Sequence, residues 1–356
     1  MSLTTNPGFS EASMAANRPW HPLNIVIVSW NVKELLRNCL QSLAEDRVHD
    51  WAEIVVVDNN STDQTVAMVT AEFSWVRLIV NSQNIGFSRA NNAACGQSNS
   101  DFVLLLNPDT VVCHGAVRRM TDFARAHPEV GAVGPKLLNA DGSIQFEGGV
   151  EFPTIWNVFC DLALLSEMFP HSRVFCRRKM GYWDHQGDRE VPGISGAAML
   201  VRREVVDRIG FLSETLFYAE DMDFCLRLRR ANWSVFYLGS ASIVHYGGGS
   251  TKSVVDQGFQ RQIAFQSTWL YTRNNRGRIL AAALSAMVVF WSLGGILVTS
   301  VFGLFYRRNR TVAEKIARFR EIAVSLLRWG VSNKKKFRHH LAAPPTFNDA
   351  RFTGSN

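Results

Sequence analysis

The chain has 356 residues, of which 47% are hydrophobic and 19% charged, and this suits one large or two ordinary globular domains with an unusually apolar segment. The net charge of +7 is concentrated at one end, because residues 307–356 hold 12 Lys and Arg residues against 3 acidic ones. That tail favours an anionic membrane surface as a partner. Nucleic acid is not expected as a partner, since no aromatic-interleaved basic patch or nucleic-acid motif is present.

The six scattered cysteines form no C-x-x-C pair, which argues against a disulfide framework or a zinc site and indicates a reducing compartment. Residues 1–22 are polar and contain no apolar core of signal-peptide length, so they are predicted to be a disordered extension.

Four apolar, β-branched runs follow in the first half of the chain, with predicted helices between them, the first marked by helically spaced residues from Leu35 to Leu43. Such runs are typical of buried parallel strands, and their alternation with helices predicts a doubly wound α/β sheet. The predicted strands are residues 24–30, 54–57, 76–80 and 102–106.

Polar residues stand just after three of these strands, at Ser29, at Asp58 and at Asn107–Asp109. Open parallel sheets bind ligands at that edge, although each group alone could be a turn or a helix cap. Neither G-x-G-x-x-G nor a P-loop is present, so a bound diphosphate would need a metal ion. Asp109, held by Pro108, could supply an oxygen to Mg²⁺ or Mn²⁺, with an ordinary Asn-Pro-Asp turn as the alternative. Between the third and fourth strands, Asn84 begins a loop in which Gly86 gives backbone freedom.

The second half is less regular. Residues 136–151 are predicted to form a hairpin, and 153–189 is an aromatic- and arginine-rich segment that lines an acceptor groove or belongs to the core. A small-residue loop containing Gly196 leads into another strand, and two short strands are predicted at 235–238 and 243–246.

Three carboxylates, Glu220, Asp221 and Asp223, lie within four residues at the start of a predicted helix that continues through Arg230. Helix N-termini favour acidic residues, which would explain Glu220. The alternative is that one carboxylate is a general base. Asp223 is expected to pair with Arg227 one helical turn further on.

From about Asn24 to Ser250 the sequence resembles the inverting family 2 glycosyltransferases, in the bacterial rhamnosyltransferase-like branch. Five blocks carry the resemblance in the family's order: Ile25–Asn31, Val57–Asp63, Asn84–Asn92, Leu104–Thr110 and Glu220–Arg227. The resemblance implies a GT-A fold, in which a nucleotide-binding half and an acceptor-binding half share one sheet.

By position in the family's motifs, the resemblance implies that Asp221 is the catalytic base and that Asp109 holds the metal, with His245 beside it. Asp58 and Arg89 would contact the pyrimidine base. The other residues implied to bind nucleotide or substrate are Ser29, Asn31, Asn84, Gly86, Asn107, Gly196 and Glu220. Asn107 is a departure, because the family's metal motif is usually Asp-x-Asp, and an amide donates an oxygen without a charge.

Residues 279–306 contain no charged side chain, which predicts a membrane segment, either a single span or a re-entrant hairpin broken at Gly294-Gly295. The basic helix that follows is expected to lie in the membrane interface or to pack on the catalytic domain. The predicted organisation is an extension at 1–22, a catalytic domain at 23–252 (halves 23–135 and 136–252), an amphipathic connector at 253–278, the membrane segment at 279–306 and a basic helix and tail at 307–356.

The predicted protein is a metal-dependent inverting glycosyltransferase on the cytosolic face of the bacterial inner membrane. It would transfer L-rhamnose from dTDP-rhamnose to a polyprenyl-linked or other cell-envelope glycan. Use of UDP-GlcNAc, UDP-galactose or another donor is one alternative, and a non-catalytic membrane scaffold is another. Whether the chain forms a homo-oligomer stays an open question at this point.

Overall fold

The computed structural model describes residues 21–146, 148–247 and 257–305, together with residues 320, 323, 324, 326 and 327. Within these ranges the chain forms eleven strands. They are β1 (Leu23–Ser29), β2 (Ala52–Asp58), β3 (Arg77–Val80), β4 (Phe102–Leu106), β5 (Thr110–Val112), β6 (Val130–Leu138), β7 (Gly149–Val150), β8 (Arg189–Glu190), β9 (Gly193–Ile194), β10 (Ala198–Arg202) and β11 (Ser234–His245).

Ten α-helices accompany these strands in the described part of the chain. They are α1 (Lys33–Glu45), α2 (Thr65–Glu72), α3 (Phe87–Gly96), α4 (Ala116–Ala126), α5 (Ile155–Leu162), α6 (Leu165–Met168), α7 (Arg203–Ile209), α8 (Glu220–Arg230), α9 (Gln257–Arg276) and α10 (Arg278–Phe305).

Nine of the strands form one mixed sheet in the order β3-β2-β1-β4-β10-β6-β11-β5, with β8 also paired to β11. The first four strands of this order are parallel, as predicted. β10 then runs antiparallel to both β4 and β6, which makes it the seam between the two halves. The fold is the GT-A-like α/β fold that the sequence predicts, with its parallel part confined mainly to the first half.

The sheet is buried on both faces because side chains alternate along each strand. In β1, Ile25 and Ile27 join one apolar cluster, whereas Val26 joins the cluster on the opposite face. The same alternation places Leu104 and Leu105 of β4 in different clusters. Two apolar layers therefore fix the central strands, so that the polar residues following them are held at one edge.

Three local predictions differ from the structure. The predicted hairpin at 136–151 is reduced to an isolated bridge between Leu138 and Ile144, because β7 pairs with β9 instead. The two predicted short strands at 235–238 and 243–246 are one strand, β11, with an irregularity between Leu238 and Ser242. The irregular segment at 153–189 contains two short helices, α5 and α6.

The C-terminal part consists of α9 and α10, separated by Gly277 with φ +96°. The segment at 278–301 is long and apolar enough to cross a membrane. Its mean hydropathy is 2.1, and 28% of its most apolar 18-residue stretch is buried inside the protein. α10 continues through Gly294 and Gly295, so the described helix agrees with the unbroken form of the two alternatives and has no break at these glycines.

Other predictions fall on residues outside the described ranges: most of the extension at 1–22, the start of the connector at 253–278 and most of the helix at 307–356. Of that last helix, Ala323 and Leu326 are described and buried, and Leu326 packs with Phe265 of α9 and Leu284 of α10. At these two positions the structure supports packing on the protein.

Gly134 in β6 allows β9 to lie close to the sheet. A methyl group at Gly134 would be 2.9 Å from both Cβ and Cγ2 of Ile194, a contact that real Cβ atoms essentially never make. Ile194 is branched at Cβ and fully buried, so it has little freedom to move away. The close approach positions the loop that follows β9, which contains Gly196.

We expect Gly134→Ala to lower the free energy of unfolding by about 1–3 kcal/mol, since overpacking a rigid core forces side chains or backbone to shift. Urea denaturation monitored by circular dichroism measures the change. The matched control is Gly96→Ala, because nothing lies within 4 Å of a methyl group at Gly96. Equal stability of Gly134→Ala and the parent would contradict the close packing.

Candidate active site

The carboxyl ends of β1 and β2 bring Ser29 and Asp58 side by side, since the two residues pair in the parallel register. Both are completely buried, and neither Ser29 Oγ nor Asp58 Oδ1 has a hydrogen-bond partner in the described part of the chain. The other oxygen, Oδ2, accepts a 2.9 Å bond from the Ser61 N–H. Unpaired buried polar atoms are uncommon and often mark functional sites, so this edge can accept a donor group.

Asn31 lies beside this edge with φ +54°, a left-handed conformation that asparagine tolerates better than most residues. Its Oδ1 accepts a 2.7 Å bond from the Thr62 N–H, and its own N–H donates to Ser61 Oγ at 3.0 Å. Asn31 therefore organises the loop after β2 rather than presenting its side-chain oxygen to solvent.

The next predicted segment shapes the start of α3. Asn84 Oδ1 accepts a 2.9 Å bond from the Gly86 N–H, and Gly86 has φ +86°, a conformation that favours glycine. Arg89 pairs with Glu214 at 3.2 Å, and both side chains are about half exposed. The structure thus brings Arg89 to the loop before α8, and its predicted contact with a pyrimidine base stays a prediction.

Asp109 and His245 meet at the end of the sheet because β5 pairs with β11, which puts His245 opposite Thr110. His245 Nε2 is 3.4 Å from Asp109 Oδ1 and 3.4 Å from Asn107 Nδ2. The exposed fractions of Asp109 and His245 are only 5% and 7%. Carboxylate, imidazole and amide groups predicted from distant parts of the sequence therefore share one nearly buried position.

Gln145 orients the His245 ring, a role that the sequence did not suggest. Its amide nitrogen donates to Asn139 Oδ1 at 3.2 Å and to the His245 carbonyl at 3.4 Å, so Gln145 Oε1 is the acceptor that faces His245 Nδ1 at 2.8 Å. With the proton on Nδ1, the Nε2 lone pair faces Asp109. No local signal marks Gln145, because its partner is 100 residues away.

Asp221 lies in the first turn of α8 and joins the same site through the loop before β10. Its Oδ2 accepts a 2.9 Å bond from the Gly196 N–H. The next residue, Ala197, accepts a 2.8 Å bond from the Asn107 N–H. One short backbone path therefore connects the predicted base with the predicted metal position.

Glu220 precedes Asp221 and differs from it in environment. Burial raises the pKa of the Glu220 carboxyl well above its usual value, and the neighbouring Asp221 charge raises it further. Its Oε2 is buried without a hydrogen-bond partner among the described residues. Asp223, by contrast, pairs with Arg227 at 2.8 Å, which confirms the predicted i,i+4 contact. The three clustered carboxylates thus have three different surroundings.

The donor set fits a divalent cation that keeps part of its shell for substrate. Asp109 and His245 offer one carboxylate oxygen and one ring nitrogen, close enough for a single ion to contact both. In the described part of the chain, no group of three or more His, Cys, Asp or Glu side chains could hold a metal alone. Mg²⁺ commonly takes one or two protein carboxylates, with phosphate oxygens and water as its other ligands.

A family model described as "Glycosyltransferase like family 2" matches residues 21–276. The chain belongs to this family. The matched range includes every residue of the site described above, from Ser29 to His245. The protein is accordingly a family 2 glycosyltransferase, and the family resemblance of its motifs is confirmed.

Two of the relatives are named as rhamnosyltransferases. The chain is 27% identical over 245 residues to an N-acetylglucosaminyl-diphospho-decaprenol L-rhamnosyltransferase of Mycobacterium tuberculosis, covering 64% of this chain and 77% of the relative. It is 22% identical over 262 residues to the rhamnosyltransferase WbbL of Escherichia coli, covering 71% and 93%. These relatives support the rhamnosyltransferase-like branch.

A solved structure shares the fold. The mannosyltransferase PcManGT from Pyrobaculum calidifontis, solved in complex with GDP-Man and Mn²⁺, superimposes with a TM-score of 0.52 at 15% identity. The match covers 90% of this chain and 92% of that one. The likeness confirms the GT-A-like fold.

We expect Glu220→Gln to stabilise the protein increasingly as the pH rises. The raised pKa means that the folded state holds a proton that the unfolded state releases above about pH 4.5, so the parent loses stability as the pH rises through the folded-state pKa. Glutamine cannot ionise and escapes this loss. Melting temperatures of both proteins between about pH 5 and pH 8 measure the difference.

Glu129→Gln is the control for this experiment. A hydrogen bond from its own backbone N–H lowers the pKa of the exposed Glu129 carboxyl below its ordinary value of 4.5, so the carboxyl is ionised in the folded and the unfolded protein throughout the measured range, and the stability difference from the parent should not change between about pH 5 and pH 8. A difference for Glu220→Gln that does not change with pH would contradict a protonated Glu220.

Proposed function

We propose that this glycosyltransferase is membrane-associated, metal-dependent and inverting, and that it transfers L-rhamnose from dTDP-rhamnose to a lipid-linked or cell-envelope glycan. The observation that carries the proposal is the path from Asp221 through Gly196 and Ala197 to Asn107. It joins a positioned carboxylate to a site suited to a divalent cation, which is what a single displacement at a nucleotide sugar requires.

Asp221 is proposed as the general base. A sugar hydroxyl is a weak nucleophile, and a carboxylate that takes its proton during attack typically contributes about 10²–10⁴-fold to the rate. The Gly196 and Met222 N–H groups donate to Asp221 Oδ2 and Oδ1 at 2.9 and 2.7 Å, so they hold the carboxylate in a fixed orientation. Direct attack on the anomeric carbon inverts that centre and needs no covalent enzyme intermediate.

Asp109 and His245 would hold Mg²⁺ or Mn²⁺, with Asn107 beside them. When bound, the ion would neutralise charge on the departing nucleoside diphosphate, so no acidic residue need protonate it. Gln145 keeps the Nε2 face of His245 directed at Asp109, and the low exposure of both side chains limits competing water. Asp58 and Ser29 supply the unpaired polar atoms proposed to contact the nucleotide.

The donor and the membrane association rest on two supports. The relatives named as rhamnosyltransferases favour an L-rhamnosyl donor. α10 is proposed to cross the membrane as a single span, because it is unbroken and carries exposed side chains such as Ile279 and Phe290 at 86% and 75%. The catalytic domain would lie on the cytosolic face, where nucleotide sugars are made.

A panel of dTDP-rhamnose, UDP-GlcNAc and UDP-galactose, each with a detergent-solubilised lipid-linked glycan, tests the donor. We expect nucleoside diphosphate release from dTDP-rhamnose alone. EDTA should abolish it, and added Mg²⁺ or Mn²⁺ should restore it, because two protein ligands hold a metal weakly enough to be removed. Turnover of only a UDP-sugar would show that the donor is that UDP-sugar and not dTDP-rhamnose. Unchanged turnover in EDTA would contradict the metal site. No turnover with any of the donors would favour the non-catalytic scaffold.

We expect Asp221→Asn to lower kcat by about 10²–10⁴-fold, since the amide keeps the shape of the side chain but cannot accept the proton. Donor affinity, measured by calorimetry, should stay within a few-fold. Asp122→Asn is the control, because the Asp122 carboxylate is 58% exposed and lies on α4. Turnover of Asp221→Asn close to that of the control would show that another group is the base.

A further inference from the structure

A second site lies in the acceptor half, outside the residues described so far. It is a cavity of about 390 Å³ lined by three arginines and two aromatic residues: Arg173, Arg177, Arg189, Tyr182 and Trp183. Among the residues that the structure describes, no carboxylate lines it. Three like charges around one cavity repel each other, so a chain that needed only a soluble surface would not gather them.

The aromatic rings hold two of the arginines in place. The guanidinium carbon of Arg173 is 5.5 Å from the centre of the Tyr182 ring, and that of Arg189 is 5.2 Å from the Trp183 ring. Trp183 is itself fixed by an edge contact with Tyr237 of β11, at 4.8 Å between ring centres. The charged groups at the cavity are therefore partly pre-organised.

Nearby acids neutralise the positive charge only in part. Among the described residues, Arg177 pairs with Glu151 at 3.6 Å, whereas Arg173 and Arg189 form no ion pair. The acids on either side of Arg189 are engaged elsewhere: Asp188 accepts from the Ser240 N–H at 3.2 Å, and Glu190 pairs with Arg229 at 3.0 Å. Convergent guanidinium groups with free donors are suited to phosphate oxygens.

The surface beside the cavity, formed by residues 156–174, exposes several large apolar side chains. The exposed fractions of its large side chains are 46% for Trp156, 45% for Leu164, 65% for Met168, 46% for Phe169 and 55% for Val174. Trp156 Nε1 donates to the Val174 carbonyl at 3.0 Å, next to Arg173 in the chain. The other side of α5 packs against Leu284 and Val288 of the candidate membrane helix. This apolar rim therefore adjoins both the arginines and α10.

The arginine segment is also connected to the proposed catalytic base. The Arg178 carbonyl accepts a 2.8 Å bond from the Glu151 N–H, directly after β7. Val150 of β7 packs against Met222, the residue that follows Asp221. A ligand held by the arginines would thus bind to the same structural unit that supports the base.

We propose that the arginine cavity binds the diphosphate of a polyprenyl diphosphate-linked sugar, with the apolar rim contacting the polyprenyl chain. The proposal rests on the function proposed above, and it assigns the acceptor's phosphate to named residues. Such a ligand combines an anionic group with an apolar chain. The anionic group matches the arginines, and the apolar chain matches the exposed apolar side chains beside them. The sugar at the other side of the diphosphate would then extend towards Asp221.

The test compares two acceptors that carry the same sugar, one as a polyprenyl diphosphate and one as an octyl glycoside without phosphate. The variant is the triple substitution Arg173→Gln, Arg177→Gln and Arg189→Gln. We expect its KM for the diphosphate acceptor to rise about 10–100-fold through loss of charge-assisted bonds, with the KM for the octyl glycoside unchanged. Equal effects on both acceptors, or no effect on either, would overturn the proposal.

The matched control replaces Arg47, Arg125 and Arg208 by glutamine, since these arginines are exposed and lie elsewhere, so the net charge falls equally. A rise in KM for the control as large as for the variant would show a general charge effect and contradict the site. Circular dichroism and donor affinity verify that both triple variants are folded.

A binding measurement separates this proposal from the proposed function. With the full chain held in detergent micelles, farnesyl diphosphate should bind to it in calorimetry, and the triple variant should lose most of that binding. Phosphatidylglycerol in the same micelles should bind both proteins equally. Equal binding of the two anionic lipids by the parent would overturn the diphosphate site, whereas diphosphate-specific binding without sugar transfer would refute the function and retain the site.

Discussion

The antiparallel pairing of β10 with β4 is the contact on which the site depends. It brings the loop before β10 beside the end of β4, so that Gly196 reaches Asp221 and Ala197 reaches Asn107. An added methyl group at Gly196 would make only an ordinary 3.5 Å contact with Asp221 Cβ. The backbone N–H at this position, and not the small size of the glycine, therefore connects α8 with the loop before β10.

The sequence predicts the parallel half of the fold well, because strands buried on both faces must be continuously apolar and their polar ends must gather at one edge. It also predicts the Asp223–Arg227 pair, since that contact is local to one helix turn. The continuity of β11 is missed. Gly239 and Ser240 are residue types typical of a turn. In the structure, β6 pairs with β11 on both sides of them, and the strand continues through them with a shift in register between Leu238 and Ser242.

Contacts between distant residues are the part of the site that the sequence does not reveal. Gln145 and His245 are 100 residues apart, and Arg89 and Glu214 are 125 apart. Neither Gln145 nor Glu214 stands in a motif, because each acts by orienting another residue. Buried polar atoms without partners are also invisible in the sequence. Ser29 Oγ, Asp58 Oδ1 and Glu220 Oε2 each carry a desolvation cost of about 1–3 kcal/mol that a soluble fold alone would avoid.

The link between the catalytic helix and the apolar helix has a consequence for acceptor length. Asn275 near the end of α9 donates to Asp223 Oδ1 at 3.0 Å and accepts from Arg230 at 3.0 Å, while Trp269 donates to the Ala281 carbonyl of α10. These bonds connect α8 to α10 through α9. If α10 lies in a bilayer, the height of Asp221 above the lipid surface is constant. The protein would then select glycans by the distance between the membrane and the end of the glycan that accepts the sugar.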